Sequence, residues 1–233
     1  MVLSEIIKSC VCCGSTKIAF NEVLWKSLTD EWRLSSYEID YINRQQGLHC
    51  LDCSSNLRSM ALALAIMKFF GYRGIFKNFV KTENAQKLKI LEINTAGSLT
   101  QYLSQMPEHH LKGYPEVDMM EMPFANESFD LVVHSDTLEH IAYPVRGLTE
   151  CYRVLTEQGV CAFTVPIIVD RLTISRAGLP ASYHGACGGQ NTDLVVHTEY
   201  GCDAWKHIIK AGFQECRITS IEYPAAQALV AVK

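Results

Sequence analysis

The sequence predicts an α/β chain: a mostly parallel sheet with helices on both faces, preceded by a small cysteine-bearing module. Three observations carry this. From residue 88 onward, strand-like and helix-like patterns alternate, as parallel strands joined by crossover helices require. Two C-x-x-C pairs stand near the N-terminus, Cys10 with Cys13 and Cys50 with Cys53. Between the two regions lies the apolar stretch "MALALAIMKFF" over 60–70, which reads as a buried helix.

Taken in order, the cysteine pairs come first. Each C-x-x-C turn offers two thiolates to one ion, and four soft ligands suit tetrahedral Zn²⁺. Cys12 is a spare thiol, while Cys10 and Cys13 keep the required spacing. Four thiolates leave no open coordination position, so the expected zinc is structural. Trp25, Trp32, Leu34, Tyr37, Ile39, Tyr41 and Ile42 supply apolar mass for a miniature core. Metal binding would add the stability that a module of this size lacks. The module is expected over 1–58. The next stretch, "SNLRSMALALAIMKFFGY", has a Ser/Asn start and a glycine stop and predicts a helix over about 55–70. With the polar "KTENAQ" (81–86) it forms a connecting region, 59–87.

The main domain is expected over 88–233. "LKILEI" reads as a strand, followed by a helix over 98–105. "HLKGY" (110–114) and "FDLVVHS" (129–135) read as strands. "PVRGLTECYRVL" (144–155) is an amphipathic helix with Val145, Leu148, Cys151, Tyr152 and Leu155 on one face. "GVCAFTVP" (159–166) is the next strand, 169–185 a long loop, and "TEYGCDAWKHIIKAGF" (198–213) a helix. "QECRITSIEY" and "AQALVAVK" suggest a terminal antiparallel pair. Cofactors of such sheets bind at the carboxyl ends of the strands.

Composition narrows the function. The net charge is -4 and no long basic run appears, so nucleic acid is not expected as a partner. The apolar run at 60–70 is too short to span a bilayer. The N-terminus "MVLSEIIKSC" lacks the regions of a signal peptide, which makes the cytoplasm the expected location. Ten cysteines in that compartment suggest metal ligands and buried thiols rather than disulfides.

The stretch "YPEVDMMEMPFANESFDLVVHSDTLEHIAYPVRGLTECYRVLTEQGVCAFTVP" resembles class I S-adenosylmethionine-dependent methyltransferases of the type 11 kind. The resemblance is carried by Asp118, by Met122-Pro123-Phe124 and Ser128-Phe129-Asp130, and then by Leu138-Glu139-His140, Glu150 and Arg153-Val154-Leu155. It covers about 88–233 and implies a Rossmann-like sheet that binds S-adenosylmethionine. Glu157-Gln158-Gly159 stands where the family has P-G-G, a turn change of little chemical weight. The larger departure is the loop after the first strand. The family places several glycines there; this chain has Glu92-Ile93-Asn94-Thr95-Ala96-Gly97.

S-adenosylmethionine has no phosphate to cradle, so the loop needs close approach rather than a nest of amides. Ala96 and Gly97 are small, and Asn94 tolerates left-handed backbone better than most residues. The resemblance implies that Glu92 stands near the methionine amino group and that Asp118 accepts from the adenine amino group. Met119 is expected against the adenine ring, and Glu116 is the nearest acid for the ribose. His134 and Ser135 end the "FDLVVHS" strand at the same edge.

For chemistry, His140, His184 and Asp136 are the candidates for a base or orienting group. Arg171, Arg176 and Tyr183, in the loop 169–185, are the candidates for acceptor contact, and they suit an anionic or sugar-like molecule. The expected activity is methyl transfer to a small-molecule or glycan-type acceptor. A protein or RNA methyltransferase that uses the zinc module for recognition, and a non-catalytic scaffold, are the alternatives.

Overall fold

The computed structural model describes residues 7–183 and 192–233. It divides into two compact units: one of residues up to Lys87 with Gly97–Glu108 and Ile218–Ala228, the other of Leu88–Ala96, His109–Arg217 and Leu229–Lys233. No helix among the described residues is long and apolar enough to cross a membrane.

In the first unit, strand β1 (Ile18–Phe20) leads to helices α1 (Lys26–Glu31) and α2 (Ser36–Gly47) and to strand β2 (Leu48–Cys50). A reciprocal capping box starts α2: the Ser35 hydroxyl accepts from Glu38 N–H, and the Glu38 carboxylate accepts from Ser35 N–H. Strands β1 and β2 pair antiparallel, with Ile18 opposite Cys50 and Phe20 opposite Leu48. Helix α3 (Leu57–Phe69) starts at Asn56, whose side chain caps Ser59 N–H, and it is buried along most of its length. The expected buried helix is therefore present, packed with α2 and with the short α4 (Phe76–Phe79). Arg58, on α3, is itself buried and donates to Gln45 Oε1 of α2 at 2.7 Å.

The other unit begins with strand β3 (Ile90–Ile93). The expected helix 98–105 is shorter: a 3-10 turn over Gly97–Leu99, then α5 (Thr100–Leu103), both grouped with the first unit. Strand β4 (His109–Lys112) starts one residue earlier than its sequence pattern suggests. There follow β5 (Phe129–Ser135), α6 (Pro144–Val154) and β6 (Leu155–Thr164). Pro144 occupies the first turn of α6, where its missing N–H costs nothing. The chain then runs through β7 (Ile167–Ile168), β8 (Ile174–Ser175), β9 (Thr198–Gly201), α7 (Trp205–Lys210), β10 (Glu215–Ile221) and β11 (Ala226–Val232).

The main sheet has six strands in the order β10-β11-β6-β5-β3-β4. Pairs β3–β4, β3–β5 and β5–β6 are parallel; β11 returns antiparallel to β6. This is the mixed α/β, mostly parallel sheet expected from the alternating pattern. Its central strands β3 and β5 are almost wholly buried, as a sheet covered on its faces requires.

Two expectations are corrected. The stretch 198–213 is not one helix: Thr198–Gly201 is strand β9, and only Trp205–Lys210 is helical. The region 169–185 is not an irregular loop throughout, since β7, β9 and β8 form a separate three-stranded sheet in that order. Pairing decides both. β9 lies parallel to β7 and antiparallel to β8, and a Cβ on Gly201 would stand 2.1 Å from Arg171 O. The close approach of Arg171 to Gly201 holds the segment extended where its own sequence favours a helix.

Gly47 marks a similar contact in the first unit. A Cβ there would stand 1.8 Å from Asn21 O, a backbone atom with no freedom to retreat. Gly47→Ala is expected to lower stability by about 2 kcal/mol or more, the upper part of the range for overpacking. Denaturant unfolding measures this, and an unchanged midpoint would contradict the contact.

Candidate functional site

The cysteine cluster is built by two turns with the same wiring. In the first, Cys10 N–H donates to Ser15 O and Gly14 N–H to Cys10 O; in the second, Cys50 N–H donates to Ser55 O and Ser54 N–H to Cys50 O. Gly14 (φ +84°) and Ser54 (φ +58°) take the matching left-handed position in each turn. The β1–β2 ribbon brings the turns together, so that the Sγ atoms of Cys10, Cys13, Cys50 and Cys53 all lie within 4.8 Å of one another. The Cys10–Cys53 and Cys13–Cys50 pairs stand 3.6 Å apart. A tetrahedron with Zn–S bonds of about 2.3 Å has edges of about 3.8 Å. The four thiols thus fit a zinc ion, while Cys12 is outside the group.

A second constellation runs from the start of β4 to the carboxyl ends of β3, β4 and β5. Glu92, on β3, is fully buried. Its Oε1 accepts from Ala96 N–H at 2.6 Å, and its Oε2 is 2.6 Å from His109 Nε2 on β4. Asn94 has φ +56°, the left-handed backbone for which its residue type is suited. It ties three strand ends together. Its N–H donates to Lys112 O, its Oδ1 accepts from Tyr114 N–H, and its Nδ2 donates to Thr137 Oγ1 beyond β5.

The segment bearing Asp118 is clamped by α6. Arg153 donates to Glu150, to Phe124 O and Met122 O, and to Asn126 Oδ1, while Glu150 Oε2 accepts from Met122 N–H. The Arg153 guanidinium holds the Glu150 carboxyl below the usual carboxylate range. Arg146 adds a bond to Met120 O, and Asp118 Oδ1 itself accepts from Met120 N–H at 2.8 Å. Asp130 closes the far end of β5, accepting from Lys89 N–H and Thr156 Oγ1.

Beyond β5, Asp136 is exposed with φ +50°. His140 is largely buried. Its Nδ1 is 3.0 Å from Val195 O, and because a carbonyl only accepts, Nδ1 carries the proton and Nε2 the lone pair. Burial pushes the His140 pKa down, against smaller upward contributions from the Val195 carbonyl and Asp136. Two hollows of about 240 and 280 Å³ share Ala142 and Ser175. Pro180, Val195 and His197 line the first; Tyr143, Thr173, Thr198 and His207 line the second.

Residues 84–163, which hold β3, the Asp118 segment, α6 and most of β6, match the family described as "Methyltransferase domain". The matched stretch makes up about a third of the chain. No curated protein matches it. Among solved structures it is similar to an S-adenosylmethionine-dependent methyltransferase of Thermotoga maritima, at 14% identity over 76% of this chain and 90% of that one, TM-score 0.44. It is also similar to one from Aquifex aeolicus, at 14% identity over 66% of this chain and 87% of that one, TM-score 0.39. A Bacillus halodurans chain aligns at 17% identity over 56% of this chain, with TM-score 0.37, and only 62% of its own length is spanned.

The residues named from sequence fall into distinct groups. Glu92, Asn94 and Ala96 come together in one hydrogen-bonded turn, with Thr137 reaching the same point. Asp118 is half-buried and Glu116 is exposed, paired to Lys112 at 2.6 Å. Met119 is buried near Gly147 of α6, where a Cβ would stand 3.3 Å from Met119 Cγ. His134 is fully buried with its ring stacked on Phe163 at 4.7 Å, and Ser135 Oγ pairs with Thr164 Oγ1 at 2.8 Å. Gly97 (φ +58°) has Ser59 as its tight neighbour, 2.9 Å from a built Cβ. Arg176 forms a short ion pair with Glu199 and donates to Pro180 O. Arg171 lines a third hollow with Leu172 and Ile174. Tyr183 bridges to Val195, and His184 lies outside the described residues. Sequence reading missed His109 and Thr137, because nothing local in "HHLK" or "SDTL" signals a partner on another strand.

Two measurements follow. Metal analysis of protein purified without chelator is expected to find about one zinc per chain, and Cys50→Ser is expected to lose it together with the stability of the module. Less than a tenth of an equivalent in the parent would contradict the site. For His140, the folded pKa is below the unfolded value near 6.5, so the unfolded chain binds the proton first as pH falls. Stability from this group is therefore full above about pH 6.5 and declines below it. His140→Gln is expected to flatten part of the fall in unfolding midpoint between about pH 7 and 5. Burial lowers His207 in the same sense, so some slope remains. Equal slopes in parent and variant would exclude the His140 contribution.

Proposed function

We propose that the protein is an S-adenosylmethionine-dependent methyltransferase acting on a small-molecule or glycan-type acceptor, with a structural zinc ion in its N-terminal module. The observation that carries this is the braced carboxyl edge. In a segment that matches a methyltransferase family, Glu92, Asn94 and Thr137 hold the strand-end loops, and α6 clamps the segment that presents Asp118.

S-adenosylmethionine supplies a methyl group already activated on a sulfonium. The protein's task is to orient two reactants and exclude water. Asn94 and Ala96 form a turn that would let the backbone come close to the cofactor, and Asp118 would accept from the adenine amino group. Asp136, exposed just after β5, puts a carboxylate at the carboxyl edge of the sheet, where it would face the cationic donor. His140 serves as the base for a hydroxyl or amine acceptor. Its Nδ1–H is fixed on Val195 O, which leaves the Nε2 lone pair as the basic position, and burial keeps the ring neutral.

The acceptor class is supported by the two adjoining hollows. Thr173, Ser175 and Thr198 supply hydroxyls and Tyr143 a ring face, while Arg176 is already paired with Glu199. A lining of hydroxyls, an aromatic ring and a neutral histidine suits a small hydroxylated acceptor better than a strongly anionic one.

Calorimetric titration with S-adenosylhomocysteine tests the cofactor half. Asp118→Ala is expected to weaken binding by about 1–3 kcal/mol, the cost of stranding a polar partner. Unchanged affinity would remove Asp118 from the adenine end. A screen of nucleotide-sugar and small hydroxylated acceptors tests the other half. There His140→Ala is expected to lower turnover by about 10²–10⁴ with cofactor affinity held. Because burial lowers its pKa, activity should persist as pH falls through about 6.5 and drop only below that. Parent-like turnover in the variant would rule out a base role.

A further inference from the structure

We propose that His109 is a positioning residue for the cofactor loop: through the Glu92 carboxylate it sets where the Ala96 N–H, and with it the Asn94–Ala96 turn, stands. The proposal rests on the methyltransferase reading above and extends it to a residue on the neighbouring strand.

The starting point is a buried acid. Glu92 is 0% exposed, and a buried carboxyl group needs hydrogen-bond partners. One oxygen accepts from Ala96 N–H at 2.6 Å and the other is 2.6 Å from His109 Nε2. An ionised carboxylate only accepts, so Nε2 donates. The two side chains meet because of strand register. Ile90 is opposite His109, and Glu92 is opposite Leu111. Glu92 and His109 are thus diagonal neighbours on one face of the parallel pair, a separation that long side chains cross. His109 is itself largely buried, its side chain 7% exposed, so water does not readily replace it.

Why this matters lies in the loop's composition. A glycine-rich loop gains close approach from backbone freedom. Between Glu92 and Ala96 this chain has no glycine, so side-chain bonds must supply the constraint. Asn94 provides one set, to Lys112, Tyr114 and Thr137. The Glu92–Ala96 bond provides another, and its geometry depends on how the Glu92 carboxylate is held. A hydrogen bond to a charged acceptor is about twice as strong as a neutral one. Without the His109 donor, one of the bonds that orients the Glu92 carboxylate is lost, and the hold on Ala96 N–H slackens.

The test uses the full chain, with S-adenosylhomocysteine as the probe and two variants at one position. His109→Leu removes the donor and keeps apolar bulk. His109→Gln restores an N–H at nearly the same reach. His109→Leu is expected to weaken S-adenosylhomocysteine binding about ten- to hundredfold. It should also speed amide exchange at Ala96 while Ile90 and Leu91 exchange as in the parent. His109→Gln is expected to recover affinity to within about threefold of the parent and to restore Ala96 protection. Parent-like affinity and Ala96 exchange in His109→Leu would overturn the proposal. So would equal losses in the two variants, since that is the mark of packing alone. If His109→Leu fails to fold, Glu92→Gln with His109 intact decides: faster Ala96 exchange supports the brace and unchanged exchange overturns it. Failure of the functional reading looks different, because the parent then binds no S-adenosylhomocysteine and the proposal falls with it.

Discussion

A single buried carboxylate sets the terms for the carboxyl edge of the main sheet. Glu92 is enclosed on β3, and an enclosed charge is tolerated only with donors in place. Its two strong bonds run in different directions, one forward along the chain to Ala96 and one sideways to His109 of β4. A local turn and an inter-strand contact are thereby coupled through one group. Asn94 repeats the arrangement one step further on, joining the ends of β3, β4 and β5 from a left-handed backbone position. The loop reaches by side-chain bonding what a glycine-rich loop reaches by backbone freedom.

The same logic governs the segment that carries Asp118. It has few regular backbone bonds of its own, so α6 supplies them. Arg153 alone reaches Met122 O, Phe124 O, Asn126 and Glu150. The Glu150 and Arg153 positions that carry the family resemblance are therefore supports for this segment. Their pairing is partly buried and multiply bonded, which distinguishes it from an exposed ion pair of little consequence.

The region after β6 builds its own small sheet, and its charges are largely matched within it. Arg176 meets Glu199, and Asp203 accepts from Thr173 N–H and Lys206. The second hollow there is lined by the Thr173, Ser175 and Thr198 hydroxyls together with Tyr143 and His207, and burial biases both His207 and His140 toward the neutral form. In the N-terminal unit the organising element is the cysteine tetrad. Two turns with the same hydrogen-bond wiring place four sulfurs at metal-ligand spacing, and the α2–α3 packing includes the buried Arg58–Gln45 bond.

Much of this was legible in the sequence because the signals are local. C-x-x-C spacing identifies the thiol turns whatever the rest of the chain does. The start and stop residues of α3, the proline opening α6 and the apolar runs of β3 and β5 state their own conformation. The order of the methyltransferase motifs implies the parallel sheet. What tertiary structure alone decided are the partnerships. Residues 198–201 form a strand because β7 and β8 lie beside them and Arg171 O crowds Gly201. Arg176 turns to Glu199, Met119 settles by Gly147, and Gly97 abuts Ser59. His109 meets Glu92 only through the β3–β4 register. Periodicity and spacing are properties of neighbouring residues, so a single sequence displays them. A hydrogen bond between strands depends on register and burial, which exist only once the chain has closed on itself.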